Sequence, residues 1–180
     1  MFGDFERGQV LAERYTLDEL LGTGAVGAVW RAYDAERRHD VALKLVVPFD
    51  RDGRIDPTKF GRFMREARAT ARLRSPHVVR VFDHGALTRD PETKEWVATD
   101  ADEAVPDGGS AIDPRIDVVY IAMEVLVGEP LRTLLKRRGA LDPTTALHTL
   151  QQVGRAVALA HQRGLIHRDL KPANIFLCDE

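Results

Sequence analysis

Two kinds of hydrophobic spacing occur along the chain, and together they predict its secondary structure. Short runs rich in β-branched and aromatic residues predict strands, whereas apolar residues spaced three and four apart predict helices. The predicted strands are residues 14–21, 29–33, 41–47, 78–82, 118–124 and 175–177, and the predicted helices are residues 57–74, 131–138 and 143–163. Because most strands precede most helices, the pattern indicates an α+β chain.

Aspartate, proline and glycine mark the ends of the predicted helices. Asp56-Pro57 and Asp142-Pro143 each offer an N-cap side chain followed by a proline at the first helical position. Gly139 and Gly164 follow the second and third helices, where a left-handed residue commonly ends a helix. The third helix has an apolar stripe that requires a covering core, formed by Ala146, Leu150, Val153, Val157 and Ala160.

The composition fits a globular protein and excludes several functions. Of the 180 residues, 44% are hydrophobic and 30% are charged, and the net charge of −2 does not support nucleic-acid binding. No apolar run is long enough to span a membrane, and the polar first ten residues are not a signal peptide. Cys178 is expected to be a buried strand thiol in the reducing cytoplasm.

Two stretches stand apart from the predicted elements. Residues 1–14 are interpreted as an N-terminal leader. Residues 85–117 are rich in Asp, Glu, Pro and Gly, which predicts an acidic loop or an extended hairpin that is unusually long for a connection. We interpret this second stretch as a solvated insertion and expect it to be the least ordered part of the chain.

The most informative motif is the octapeptide His-Arg-Asp-Leu-Lys-Pro-Ala-Asn at residues 167–174. A carboxylate at Asp169 can accept or orient the proton of an attacking hydroxyl group. The amide oxygen of Asn174 can bind Mg²⁺, and Lys171 can approach a phosphoryl group. A polar surface turn could contain any one of these residues, but this combination predicts a phosphoryl-transfer site.

A glycine-rich segment, Gly-Thr-Gly-Ala-Val-Gly at residues 22–27, offers backbone N–H groups to phosphate oxygens. Dinucleotide-binding turns have the same glycine spacing, but a helix follows them. Here strand-forming residues 29–33 follow, so we predict strand, loop and strand. Lys44 then lies within an apolar strand, where a lysine requires an anionic partner unless it faces solvent.

Taken together, these motifs resemble those of the eukaryotic-like serine/threonine protein kinases of bacteria, and they occur in the family's order. The resemblance covers residues 15–177. It implies a protein-kinase-like fold. Residues 15–124 would form an N-lobe with a small antiparallel sheet, one packed helix and the insertion, and residues 125–180 would form the hinge and the start of a helical C-lobe.

The resemblance also implies ATP and Mg²⁺ as cofactors and a protein Ser or Thr hydroxyl as the acceptor. Asp169 would orient that hydroxyl, Lys171 would stabilise charge, and Asn174 would bind the metal. Lys44 would hold the α- and β-phosphates, and Glu66 of the first helix would orient Lys44. The residues implied to bind ATP are Leu21, Gly22, Thr23, Gly24, Ala25, Val26, Gly27, Val29, Ala42, Lys44, Met123, Glu124, Leu126 and Phe176.

The family pattern implies that an Asp-Phe-Gly segment, an activation loop and further helices follow residue 180. We therefore expect the 180 residues to be an incomplete catalytic domain that does not transfer phosphate by itself. Two alternatives stay open at this point. One is a small-molecule phosphotransferase of the same fold, which usually lacks the context of Arg168 and Lys171. The other is a non-catalytic pseudokinase or binding fragment.

Overall fold

The computed structural model describes residues 5–24, 27–47, 57–99 and 116–179, with only the backbone described at residues 57–60, 62, 65 and 66. The chain divides into two compact units. The first comprises Met1–Arg72 and Val81–Val125, and the second comprises Leu73–Arg80 and Leu126–Glu180.

The first unit is a strongly curved sheet whose seven strands close on themselves. The strands are β1 (Val10–Leu11), β2 (Tyr15–Gly24), β3 (Gly27–Asp34), β4 (His39–Val46), β5 (Val81–Arg89), β6 (Trp96–Thr99) and β7 (Val118–Met123), in the spatial order β1-β2-β3-β4-β7-β5-β6. All neighbours are antiparallel except β1 and β6, which meet in a parallel bridge. Helix α1 (Pro57–Ala71) packs against β5. The predicted antiparallel sheet with one packed helix is therefore confirmed.

Alternating apolar residues of these strands build the core of the first unit. Leu17, Leu43, Leu45 and Leu87 are fully buried inside the closed sheet. A second cluster lies under α1, where Met64 of the helix packs with residues of β4, β5 and β7. The spacing of two along the strands and of three or four along the helix thus produces two buried faces. Helix α1 ends at Ala71, three residues before the predicted end.

The predicted insertion begins as a regular hairpin. Strand β5 begins at Val81 and continues to Arg89, and β6 pairs with it from Ala86–Thr99 to Arg89–Trp96. The turn between the strands is held by the carboxylate of Asp90, whose Oδ1 accepts hydrogen bonds from the backbone N–H groups of Glu92 and Thr93, both at 2.8 Å. Of the two predicted forms, a loop or a hairpin, residues 85–99 adopt the hairpin, and they are not a solvated stretch, because Leu87 and Trp96 are buried. Residues 100–115 lie outside the described residues.

Residues 5–14, interpreted as part of a leader, include a strand of the closed sheet, Val10–Leu11, and pack against its core. Phe5 is buried and stacks on Trp96 with 5.0 Å between ring centroids. The backbone N–H of Ala12 donates to the carbonyl of Trp96 at 2.8 Å. Interpreting this segment as a leader was wrong, because its partner Trp96 is more than eighty residues away in the sequence and no local pattern indicates the contact.

The turn between β1 and β2 is strained by its sequence. Ala12 and Glu13 have φ angles of 53° and 55°, and Arg14 N donates to Leu11 O at 3.0 Å. Three residues connect the paired Leu11 and Tyr15. A turn whose two central residues both have positive φ favours Asn-Gly, because other residues crowd their Cβ atoms in this conformation. Ala-Glu is a poor sequence for the turn, so tertiary contacts must compensate for it.

Replacing Ala12 by Asn and Glu13 by Gly is therefore expected to raise the free energy of unfolding by about 1 kcal/mol. Urea denaturation followed by circular dichroism measures the change. Glu13→Val is the matched control and should lower stability, because a β-branched residue is worse than glutamate at positive φ. A lower midpoint for the Asn-Gly variant would contradict the argument.

A network of charged and phenolic groups joins the start of β2 to the end of β3 and to β5. Arg14 donates from Nε and Nη2 to the two carboxylate oxygens of Asp34, both at 2.8 Å, and from Nη1 to Asp83 Oδ2 at 3.0 Å. Tyr15 OH also donates to Asp83 Oδ2, at 2.7 Å. Asp34 is completely buried. Burial favours a higher pKa for this carboxyl, but the bonds from Arg14 and from the backbone N–H of Arg37 outweigh it and hold the pKa of Asp34 below its usual value.

The second unit contains two helices and a short two-stranded sheet. Its elements are β8 (Gly128–Pro130), α2 (Leu131–Arg138), α3 (Pro143–Gln162), a 3₁₀ turn (Pro172–Asn174) and β9 (Phe176–Cys178). The predicted capping is confirmed for both helices. Asp142 Oδ1 accepts from Thr145 N at 3.0 Å, and Gly139, with φ of 80°, donates its N–H to Leu135 O.

The apolar stripe of α3 is uncovered, as expected for an incomplete catalytic domain, and one burial prediction fails in this unit. No residue of α3 is buried among the described residues, and Leu150 of its apolar stripe is 66% exposed. Cys178 lies in a strand as predicted, but it is exposed rather than buried. A two-stranded sheet has little surface with which to cover a side chain, so β9 offers Cys178 no interior. Within the described ranges, no helix combines the length and hydropathy required to cross a membrane.

Candidate active site

The segment between α3 and β9 is folded by local backbone interactions. Gly164, with φ of 72°, donates its N–H to His161 O, and Leu165 N donates to Ala160 O, so the chain leaves the helix in a tight turn. Arg168 has φ of 59°, an uncommon conformation for a residue with a side chain. The N–H of Asp169 then donates to His167 O at 2.8 Å, and the nearby His167 Nδ1 lies 3.3 Å from the same nitrogen. This turn projects the side chain of Asp169 from the loop.

Three residues of the octapeptide come together around one carboxylate. Lys171 Nζ lies 2.8 Å from Asp169 Oδ2, and Asn174 Nδ2 donates to the same oxygen at 3.1 Å. Asn174 Nδ2 also donates to the backbone carbonyl of Asp169 at 2.8 Å. The 3₁₀ turn that begins at Pro172 returns the chain so that Asn174 reaches back across five residues. The sequence spacing is thus converted into a cluster of acid, amine and amide.

The cluster is open and its carboxylate is charged. Asp169 and Lys171 are 63% and 52% exposed, so a substrate can reach both side chains. The ammonium group of Lys171, and next the amide of Asn174, hold the pKa of Asp169 below its usual value. An ionised carboxylate accepts hydrogen bonds only, and can therefore align a hydroxyl donor. The Nδ2 of Asn174 donates to Asp169, so the amide oxygen of Asn174 is not used in these bonds.

The short β8–β9 sheet joins the end of the predicted hinge, residues 123–128, to this loop. These six residues are called the hinge-like segment below. Gly128 has φ of 135°, and a Cβ there would lie 2.0 Å from Leu177 O. Leu131 N donates to Ile175 O at 2.8 Å, next to Asn174 in the chain. The sequence does not reveal this positioning role of Gly128, because the close approach is visible only once the two strands are paired. Leu126 is partly buried, and Phe176 is 37% exposed.

In the first unit, the predicted glycine loop is a hairpin between β2 and β3. Gly24 pairs with Gly27, and the tip residues Ala25 and Val26 lie outside the described residues. The glycines of this loop differ in what an added Cβ atom would contact. A Cβ at Gly27 would lie 2.2 Å from Leu45 O, so strand packing requires this glycine. A Cβ at Gly22 would have no neighbour within 4 Å, and one at Gly24 would lie 3.9 Å from Gly27 O. Packing within the described residues does not require Gly22 or Gly24, which leaves room for a ligand to approach the backbone.

Strand register brings several predicted ATP-binding residues onto one sheet face. Val29 of β3 pairs with Lys44 of β4, and Ala42 pairs with Met123 of β7. Residues in register share a face, as do residues two apart in a strand. Lys44 is partly buried between Leu43 and Leu45, whose side chains enter the core on the other face. Three further predicted residues are adjacent in sequence to these paired positions. Leu21 and Thr23 flank Gly22, the partner of Val29, and Glu124 follows Met123. Leu21 is 42% exposed.

The predicted pairing of Lys44 with Glu66 stays a prediction, because the side chain of Glu66 lies outside the described residues.

The donor atoms of the loop determine which metal it could bind. Among the residues described, no group of three His, Cys, Asp or Glu residues could hold a metal ion. The amide oxygen of Asn174 is a hard oxygen donor of the type that Mg²⁺ prefers, so it fits a metal that takes its remaining ligands from other groups, such as phosphate and water.

The comparison with protein families decides what this arrangement represents. Residues 15–180 match the family model described as the protein kinase domain. The chain belongs to the protein kinase family. The resemblance drawn from the octapeptide and the glycine-rich loop is therefore confirmed, and the kinase fold accounts for the closed sheet followed by α2 and α3.

The relatives of this kinase chain include bacterial serine/threonine kinases. It is 36% identical over 170 residues to the serine/threonine-protein kinase PknA of Mycobacterium tuberculosis, which covers 94% of this chain and 33% of PknA. It is 34% identical over 167 residues to PknB of the same species, covering 93% of this chain and 22% of PknB. The chain thus spans a third or less of the length of these relatives.

Solved structures show the same fold. The crystal structure of the Mycobacterium tuberculosis PknI kinase domain matches with a TM-score of 0.67 and 28% identity, covering 97% of this chain and 58% of that one. The apo form of PpkA-294 matches with a TM-score of 0.66 at 20% identity, which concerns the fold alone. The architecture described above is therefore the kinase architecture.

Proposed function

We propose that this chain carries the ATP-binding and catalytic-loop part of a cytoplasmic serine/threonine protein kinase, which transfers the γ-phosphoryl group of ATP to a Ser or Thr hydroxyl of a protein. The observation that carries the proposal is the cluster of Asp169, Lys171 and Asn174, with Lys171 and Asn174 both within 3.1 Å of one carboxylate oxygen. A structural turn does not require an acid, an amine and an amide that converge on one exposed carboxylate oxygen.

Each member of the cluster has a chemical role in this proposal. The ionised carboxylate of Asp169 accepts a hydrogen bond from the acceptor hydroxyl and aligns its oxygen with the phosphorus atom. Lys171, now paired with Asp169, offers its positive charge to the phosphoryl oxygens. The amide oxygen of Asn174 holds Mg²⁺, which when bound neutralises phosphate charge. Catalysis on this account is positioning and electrostatic stabilisation.

Residues of the first unit supply most of the nucleotide contacts in this proposal. The backbone at Gly22 and Gly24 approaches the phosphates, and Lys44 contacts the α- and β-phosphates with Glu66 as its partner. Val29, Ala42 and Met123 share the face of Lys44 and contact the base and sugar. The other residues proposed to contact ATP are Leu21, Thr23, Ala25, Val26, Gly27, Glu124, Leu126 and Phe176.

Replacing Lys44 by Met tests the nucleotide site. The change removes the cation from an otherwise apolar strand and keeps the length of the side chain, so the fold is expected to persist. The Kd for ATP should rise about tenfold or more, corresponding to about 1.4 kcal/mol. Titration with a fluorescent ATP analogue measures it. Lys94→Met, in the exposed hairpin turn, is the matched control and should leave the Kd unchanged. Equal affinities in both variants would reject the role of Lys44.

Transfer of ³²P from labelled ATP tests the reaction class. The full-length protein should label a Ser/Thr protein substrate in preference to aminoglycoside or choline-like acceptors. Labelling of the small acceptors alone would support the small-molecule phosphotransferase instead. ATP binding without transfer to any acceptor would support a pseudokinase.

A further inference from the structure

Helix α2 is a short basic helix attached to the catalytic loop. Leu131 and Leu134 are buried, and the first of them donates its N–H to Ile175 O at 2.8 Å. The helix also packs against the 3₁₀ turn that contains Asn174. The remaining positions expose four cations to solvent, Arg132, Lys136, Arg137 and Arg138. These charges are held in a defined place relative to the cluster around Asp169, because both belong to the second unit.

One charged residue of α2 occupies a position where its charge destabilises the helix. Arg132 lies in the first helical turn, which contains no acidic residue, and the positive end of the helix dipole disfavours a cation there. Lys136 lies four residues later on the same stripe, where a like charge is again unfavourable. Lys136 and Arg138 are favoured near the C-terminus by the same dipole, so the conflict concentrates at Arg132.

The described part of the chain does not relieve this conflict. Glu129 is the acidic residue next to α2, and it pairs with Arg137, which lies on a different stripe of the helix. Arg132 and Lys136 have no recorded carboxylate partner among the described residues. An unfavourable charge that no carboxylate of the described residues offsets is expected where a helix serves a function.

We propose that Arg132 and Lys136 form a docking stripe for two acidic residues of the protein substrate, close in sequence to the phosphorylated Ser or Thr. This inference rests on the proposed function and specifies its substrate class. Four residues of helix advance by about 6 Å, and alternate residues of an extended peptide are about 7 Å apart. The stripe therefore matches carboxylates two positions apart, in the pattern acidic-any-acidic.

Two other anionic partners fit the stripe less well. Membrane-binding basic segments usually contain four to eight cations and often an exposed apolar face. Here α2 exposes four cations, but Arg137 is paired with Glu129, and the apolar residues Leu131 and Leu134 face inward. A nucleic-acid partner would require a broader basic surface than this chain of net charge −2 offers.

Fluorescence anisotropy with labelled peptides tests binding directly. The probes are Ser-containing peptides with Asp-Ala-Asp, with Lys-Ala-Lys or with Ala-Ala-Ala beside the serine. The Asp-Ala-Asp peptide is expected to bind at least tenfold more tightly than the neutral one at low salt, and to lose this advantage in 0.5 M NaCl. Arg132→Glu with Lys136→Glu should reverse the preference toward Lys-Ala-Lys. Equal binding of the three peptides, or an unchanged preference in the double variant, would overturn the proposal.

Controls separate the stripe from general charge and from misfolding. Arg155→Glu in α3 with Arg163→Glu at its C-cap makes the same change of charge and should leave the preference unchanged. Arg132→Gln with Lys136→Gln keeps good helix formers and should abolish the preference while the helical circular dichroism persists. Stronger binding to phosphatidylserine vesicles or to a DNA oligonucleotide than to the acidic peptide would also overturn the proposal.

A phosphotransfer assay on the full-length protein distinguishes failure of this inference from failure of the proposed function. Transfer to the acidic peptide with a lower KM than to the neutral one supports the stripe. Transfer to both peptides with equal KM overturns the stripe and leaves the kinase function intact. Transfer to no protein or peptide overturns the proposed function, and with it the assignment of this surface to substrates.

Discussion

Replacing Asp169 by Asn is expected to reduce turnover of the full-length protein by about 10³-fold or more while ATP affinity stays close to that of the parent protein. The amide cannot act as an ionised acceptor for the substrate hydroxyl, and it no longer pairs with the ammonium group of Lys171. The side chain keeps nearly the same size, and it lies in an exposed loop, so the fold is not affected. The expected signature is therefore a loss in kcat with little change in the Kd for nucleotide.

Turnover and nucleotide affinity must be measured side by side for this variant. Asp179→Asn is the matched control, because Asp179 is an exposed carboxylate in the same unit and bonds the hinge-like segment only through its backbone N–H to Val127 O. The control should keep its activity. Near-normal turnover in Asp169→Asn would remove the basis of the proposed mechanism, whereas a large loss of ATP affinity would show that the residue acts through the nucleotide.

The second large effect is expected at Asp34, on stability. Asp34→Ala leaves the guanidinium of Arg14, which is 16% exposed, without its bidentate partner. It also removes the acceptor of the backbone N–H groups of Glu36 and Arg37, which donate to Asp34 Oδ1 at 3.0 and 3.2 Å. Breaking a buried ion pair from one side typically costs about 3–5 kcal/mol of unfolding free energy. Chemical denaturation of the two proteins measures the difference.

Glu36→Ala is the matched control for this prediction. Glu36 Oε2 also lies 2.8 Å from Arg14, but its side chain is 68% exposed. An exposed ion pair contributes about 0–1 kcal/mol, so the same chemical change should have a small effect. Equal losses in the two variants would show that burial of Asp34 does not govern the energy of the network.

The pH dependence of stability provides an independent check on Asp34. Its pKa is lower in the folded protein than the ordinary value of 3.8, so the unfolded chain takes up the proton first. The stabilisation is therefore fully present above pH 3.8 and is lost as the pH falls through the folded-state pKa. Asp34→Ala should show a flatter decline of stability in this acidic range than the parent protein.

Several features of the protein were determined by the sequence alone, because their causes are local. The capping of α3 by Asp142 and the end of α2 at Gly139 depend on side chains within a few residues of the helix termini. The meeting of Asp169 with Asn174 depends on one turn of eight residues. The family followed from such motifs and from their order. Short-range interactions can be predicted from the sequence because both partners lie within a few residues of each other.

Only the tertiary structure decided features whose partners are far apart in the chain. Trp96 closes the sheet onto Phe5 and Ala12, and Arg14 joins Asp34 to Asp83. Gly128 is required by the approach of Leu177, and no feature of its own segment indicates that contact. The composition of residues 85–99 indicates solvent exposure, yet burial of Leu87 and Trp96 prevailed. Strand pairing over long sequence separations depends on which surfaces come into contact. The pattern of residue types along the chain does not show which surfaces these are.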